Sequence, residues 1–275
     1  MKRFARHGWI GLFLVAVCWP LDWVLPGVRT SYLFFPLWLG YILAVDALVA
    51  RRSGTSLLTR SRKEFAALFL ISIPAWWLFE GFNERTHNWE YLGRNRFDDI
   101  SYFLLSSICF STVMPAVFES AEWISAAHWL RNLKRGPRLP DNRTARWGCV
   151  AAGLVMILLT ILWPRFFYPL VWGGVFLVLD PINESLGRAS LLRRVMDGDW
   201  RTVISLALGA LLCGFFWEMW NYYSFPKWTY HTPGVNAFHL FEMPLPGYLG
   251  YIPFSWELFA LANFLRPRTS FSPLS

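Results

Sequence analysis

Eight apolar stretches run along the chain, each bounded by charge or by Pro and Gly: about 8–25, 30–50, 64–83, 104–130, 147–163, 166–182, 202–223 and 247–265. Several approach the ~20 residues that a helix needs to cross a bilayer. The two shorter ones, 147–163 and 166–182, still span if flanking side chains snorkel or the bilayer thins. The pattern predicts an all-α, polytopic integral membrane protein of about eight transmembrane helices. Lys2, Arg3 and Arg6 before the first stretch give it the outline of a signal peptide. Cys18-Trp19-Pro20 stands where small residues would mark cleavage, so an uncleaved first helix is expected.

The polar and aromatic punctuation repeats. Trp38-x-Gly40-x5-Asp46 recurs as Trp172-x-Gly174-x5-Asp180, and Ser56-Leu57-Leu58 as Ser190-Leu191-Leu192, both at an offset of 134. Glu80-x-x-Asn83 recurs as Glu218-x-x-Asn221 at an offset of 138. Trp89-x-Tyr91 matches Trp228-x-Tyr230, Pro115-x-x-x-Glu119 matches Pro253-x-x-x-Glu257, and Trp19-Pro20 matches Trp163-Pro164. This many pairs in one order argues for a tandem duplication. The expected units are a first four-helix repeat over 1–131, a basic, Pro-containing linker over 132–146, and a second four-helix repeat over 147–275. Four spans per half give both halves the same orientation, so the repeats are expected to be parallel.

Composition strengthens the membrane reading. Of 275 residues 55% are hydrophobic and only 16% charged, against roughly 25% charged in a soluble protein. The 17 Trp, 24 Phe and 10 Tyr suit membrane–water interfaces. A disordered chain, a disulfide scaffold and an ordinary cytosolic enzyme are excluded. The net charge of +8 raises the question of nucleic acid, which the location of the charges answers. With the N-terminus in the cytoplasm, 20 of the 26 Lys and Arg fall on the cytoplasmic side and six on the other. That obeys the positive-inside rule at every loop. The basic excess thus orients the chain and attracts anionic membrane lipid, with no nucleic-acid partner needed. A bacterial inner membrane with both termini cytoplasmic is expected; the oligomeric state is left open.

Carboxyls inside the spans carry the candidate chemistry, because an ionisable group in hydrocarbon costs several kcal/mol unless it faces protein or a wet cavity. Glu80 with Asn83, and Glu218 with Asn221, share a helix face by i,i+3 spacing. Glu119 and Glu257 sit roughly 10 to 15 Å deep in the outer half of the next span. One polar cluster per half is expected: Glu80, Asn83 and Glu119, then Glu218, Asn221 and Glu257. Two such carboxyls would share a proton, which suits general acid chemistry on a lipophilic small molecule. The same clusters also serve as interhelical hydrogen bonds, and the sequence favours chemistry only slightly. His239, Glu242 and a Pro/Gly-rich approach to the last helix make the second half the better candidate. Trp89, Tyr91, Trp228 and Tyr230 are most simply interfacial residues; a second reading makes them pocket walls able to stabilise positive charge. Asp46 and Asp180 are expected to be structural.

His239 and Glu242 have ligand-pair spacing but lack a third ligand. His7, His87 and His128 are solitary, and no facing His pair suggests haem. The four cysteines lie on different segments without a C-x-x-C. There is no phosphate loop, no Gly-x-Ser-x-Gly and no Cys–His arrangement, so neither cofactor nor metal is expected.

The order Glu218, Trp228-Thr229-Tyr230, Gly250, Pro253, Glu257, echoed by Glu80, Trp89-Glu90-Tyr91, Pro115 and Glu119, resembles the small membrane-embedded lycopene cyclases and related carotenoid-pathway membrane proteins. The resemblance implies proton-initiated cyclisation or hydration of a polyene by membrane carboxyls. This chain departs from that family in two ways: a single Glu follows Pro253 after four residues where the family has adjacent acids, and each half has four spans where three would be expected. The residues by themselves leave three readings: a membrane enzyme acting on an isoprenoid or other lipid, a proton-coupled carrier, and a non-catalytic assembly subunit.

Overall fold

Every apolar stretch becomes helix in the computed structural model, which describes residues 3–140, 142–235 and 237–266. The first half contains α1 (Arg6–Val24), α2 (Thr30–Ser53), α3 (Leu57–Arg60), α4 (Arg62–Thr86), strand β1 (Trp89–Leu92), α5 (Asp99–Phe110) and α6 (Val113–Ser125). A 3-10 segment, His128–Arg135, leads through the linker to α7 (Arg143–Leu162), α8 (Pro164–Phe167), α9 (Val171–Ser185), α10 (Leu191–Met196) and α11 (Arg201–Tyr222). Strands β2 (Lys227–Tyr230), β3 (His239–Leu240) and β4 (Met243–Pro244) follow, and a 3-10 segment, Leu245–Gly250, opens into α12 (Tyr251–Leu265).

Among the described residues, seven helical segments are long and apolar enough to cross a membrane: α1, α2, α4, α5 with α6, α7, α8 with α9, and α11. The protein is therefore an all-α, multi-pass membrane protein. The last expected span, α12, has 15 residues, about 22 Å of helix rise.

Local chemistry sets the boundaries. The Asp98 side chain accepts from the Ile100 and Ser101 amides and starts α5 at Asp99. The expected 104–130 span thus begins and ends earlier. It breaks where the Ser111 and Thr112 hydroxyls turn back onto the Ile108 and Cys109 carbonyls, just before Pro115. Ser61 and Asn142 cap α4 and α7, and Gly54, at φ 86°, ends α2 in the left-handed region.

Small residues let helices approach. A Cβ on Gly11 of α1 would lie 2.5 Å from the Gly40 carbonyl oxygen of α2, and one on Gly153 of α7 would lie 2.6 Å from that of Gly174 on α9. Across the middle, α6 packs on α2 and α11, while α12 packs on α9, α11 and α4. Trp38, Phe79, Phe118, Phe254 and Phe259 fill the core between them.

β1 and β2 pair with each other although about 140 residues apart. The antiparallel register sets Trp89 opposite Tyr230, Glu90 opposite Thr229 and Tyr91 opposite Trp228. A half-turn about the Glu90–Thr229 pair maps this pattern onto itself.

Candidate functional site

Two asparagines hold the strands that build the site. Asn83, near the end of α4, donates from Nδ2 to the Trp89 carbonyl at 2.8 Å and accepts from the Asn88 and Trp89 amides at 2.9 and 3.2 Å. Asn221 does the same from α11, donating to the Trp228 carbonyl at 2.7 Å and accepting from its amide at 2.9 Å. The i,i+3 spacing from Glu80 and Glu218 therefore puts each acid beside a strand that its own helix clamps.

Period-2 alternation then turns Trp89 and Tyr91, with Trp228 and Tyr230, toward the acids. The Tyr91 hydroxyl donates to Glu80 Oε1 at 2.6 Å, the Trp76 indole at 2.8 Å and the Trp89 indole at 3.2 Å. Glu218 Oε1 accepts from two phenols, Tyr230 at 2.6 Å and Tyr251 at 2.7 Å, while the Trp228 indole donates to the Tyr230 oxygen at 2.8 Å. Oε2 of Glu218 is buried without a partner. Burial, then the charge of Glu80, holds the Tyr91 phenol well above its ordinary pKa; burial and Glu218 do the same to Tyr230. Both phenols keep their protons at any physiological pH.

These tyrosines separate the acids from a cavity of about 500 Å³, within the range of small-molecule pockets. Its walls come from both halves: Trp76, Trp89, Tyr91, Tyr102 and Phe110 from the first, Trp172, Trp217, Trp228, Tyr230, Tyr251 and Phe254 from the second. Trp172 stacks on Phe79 and Trp89 with ring centroids 5.5 and 6.0 Å apart. Arg94 lines one edge, its guanidinium 4.0 Å over the Tyr102 ring. Trp89, Tyr91, Trp228 and Tyr230 line this cavity.

The expected carboxyl clusters do not form. Glu257 turns to α9, accepting from the Val175 and Phe176 amides at 3.0 and 3.4 Å. Glu119 turns to Asp46 on α2. With α6 ending at Ser125, Glu119 lies in its last two turns, beside Asp46. Asp46 and Asp180 bind the chain that follows them. Asp46 takes the Ser56 hydroxyl at 2.9 Å and the Leu58 amide at 3.0 Å; Asp180 takes Ser190 at 2.8 Å with the Leu191 and Leu192 amides at 2.9 and 2.8 Å. His239 lies exposed on the β3–β4 hairpin, and Glu242 pairs with Lys227. Neither lines the cavity.

Trp76, Tyr251 and Trp172 escaped the sequence reading as members of the site. A signal existed: at the offset of 138 that aligns Glu80 with Glu218, Trp76 falls on Gly214 and Val113 on Tyr251. The Tyr251 ring fills the space at Gly214, where a Cβ would meet it at 2.5 Å. The donor has changed helix. Compared with protein families, curated proteins and solved structures, the chain matches none.

Proposed function

We propose that the protein is a membrane-embedded enzyme that acts on an isoprenoid or other lipophilic polyene by carboxyl acid/base chemistry. The observation that carries this reading is Glu218 hydrogen-bonded to two phenols that themselves line an aromatic cavity. A phenol both donates and accepts, so it can pass a proton on. With a proton on Glu218, transfer to the Tyr251 oxygen releases that phenol's own proton to a substrate double bond. The C–H bond formed leaves positive charge on carbon, facing Trp217 and Trp228. Loss of a neighbouring C–H proton to the Tyr230 oxygen, as the Tyr230 hydroxyl proton moves to Glu218, restores every group. The sum is a rearrangement or cyclisation with no oxidant and no net proton.

The resemblance to the small lycopene cyclases supports the same class. Glu218, Trp228, Tyr230, Gly250 and Pro253 border or back the cavity, whereas Glu257 does not. The architecture that goes with this reading is eight spans in two parallel four-helix repeats, 1–131 and 147–275, joined by the 132–146 linker. Both termini face the cytoplasm of a bacterial inner membrane. The self-mapping register of β1 and β2 and the duplicated Asn and Asp clamps support that duplication. A second reading, a proton-coupled carrier, is favoured by the cavity's place between the halves, where carriers bind. Lipid extracts from a deletion strain and its parent separate the two. A polyene or lipid that accumulates in the deletion and is consumed on complementation supports the enzyme. Unchanged lipids with altered solute accumulation support the carrier instead.

A further inference from the structure

Far from the cavity, the first half holds a buried polar group that has no equivalent in the second. Thr30 and Ser31 at the start of α2 line the cavity; Asp46 lies more than four turns on, about 24 Å along the helix. Asp46 is fully buried, and so is Glu119 of α6, which faces it. Neither carboxyl oxygen of Glu119 has a hydrogen-bond partner. Two carboxylates offer each other only acceptors, so without a proton between them the contact is repulsive at low dielectric.

The neighbours do not supply the missing donor. Ser56 and the Leu58 amide are already spent on Asp46. Arg60, the last residue of α3, is ion-paired with Glu122 one turn further along α6. Gly209 and Cys213 of α11, and Ser72 of α4, are what those helices turn to α6. From α1, His7 places Nε2 2.8 Å from Asp46 Oδ1, in ion-pair contact without a formed hydrogen bond, and its side chain is 22% exposed. The group is not one placed to hold a metal ion. In the second half the matching Asp180 is saturated by Ser190 and two amides, and Glu257 has gone to α9.

We propose that Asp46 and Glu119 form a proton-binding site, loaded from water through His7, at the end of the membrane domain opposite the cavity. In the loading step the Nε2–H bond of the imidazolium breaks as an O–H bond forms on Asp46. That proton bridges to Glu119; the neutral imidazole, whose bare Nε2 is buried against Asp46, then turns that nitrogen to the water side and takes its next proton there. His7 suits the task because an imidazole ring both donates and accepts protons through its two nitrogens. The site does not rest on the chemistry assigned to the cavity.

Infrared spectra of the purified full chain in lipid nanodiscs test it through the carbonyl stretch of protonated carboxylic acid at neutral pH. Glu119→Gln is expected to remove one acid's share of that band, and Glu122→Gln none. Should Glu119→Gln fail to fold, Asp46→Asn removes the same shared proton and is read in the same way. His7→Gln is expected to keep the band but to slow its shift on transfer to D2O by about tenfold or more. Loss of only the carboxylate band in Glu119→Gln, or exchange as fast without His7 as with it, overturns the proposal. Lipid turnover reads the cavity alone, so failure of either idea is visible separately.

Discussion

The two halves use one device to place an acid and two different devices to surround it. In both, an Asn clamps the strand after its helix, and an Asp clamps the Ser-Leu-Leu segment after its own. These groups bind backbone, which changes little when side chains do. Around the acids the halves part. Glu80 has one phenol and two indoles; Glu218 has two phenols. An indole N–H only donates, so it holds a carboxylate but cannot hand a proton on. The exchange of Trp76 and Val113 for Gly214 and Tyr251 therefore replaces a donor that can only hold with a second phenol, the group on which the proposed proton path depends.

The comparison breaks most directly at the acids. Glu218→Gln should lower turnover of the lipophilic substrate by roughly 10²–10⁴-fold per folded protein, the usual share of general acid–base catalysis. Glu80→Gln should lower it far less; equal losses would remove the distinction between the halves. Tyr251→Phe keeps the ring but removes one relay, and about 10²-fold is expected. Trp76→Phe should instead act on stability, by about 1.5–3 kcal/mol for a hydrogen bond to a charged group. Unchanged turnover in Tyr251→Phe would count against the two-phenol path.

Stability sharpens the comparison at the Asp clamps. Asp180→Asn weakens three accepted hydrogen bonds and should cost about 1–3 kcal/mol, read as a lower melting temperature in detergent. Asp46→Asn should cost less, because an amide supplies the donor that Glu119 lacks. At the glycine contacts the halves should agree: Gly11→Ala and Gly153→Ala each place a methyl group against a carbonyl and should destabilise by about 1–3 kcal/mol. The smallest effect lies in the loop before α11. Hydrogen bonds from Arg201 hold the Asp199 carboxyl below its ordinary pKa, whereas Ser61 caps the matching helix in the first half. Stability from Asp199 is present above the unfolded carboxyl's pKa and lost as pH falls through the lower folded value. The Arg201–Asp199 pair is only half-buried, so it is worth under about 1 kcal/mol. Asp199→Ser should flatten that acid limb of a melting curve series without moving the neutral plateau.

What could be read from residues alone is what depends on runs and spacings. Apolar runs long enough for a bilayer, with few charges, mark the chain as a membrane protein. Matching offsets singled out Glu80, Asn83, Trp89 and Tyr91 with Glu218, Asn221, Trp228 and Tyr230, and all eight belong to the site. They meet because acid, clamp and strand lie within a dozen residues, where local geometry decides who meets whom. Glu119 and Glu257 failed for the opposite reason. Their partners lie on other helices, and each residue of shift along a helix turns a side chain by about 100°; the break at Ser111 and Thr112 separates Glu119 from the helix phase set at Asp98. The β1–β2 pairing, the move of a donor from Trp76 to Tyr251 and the cavity between the halves are contacts between distant parts of the chain or across helices. Only tertiary packing, which sets both the depth and the rotation of each helix, decides those.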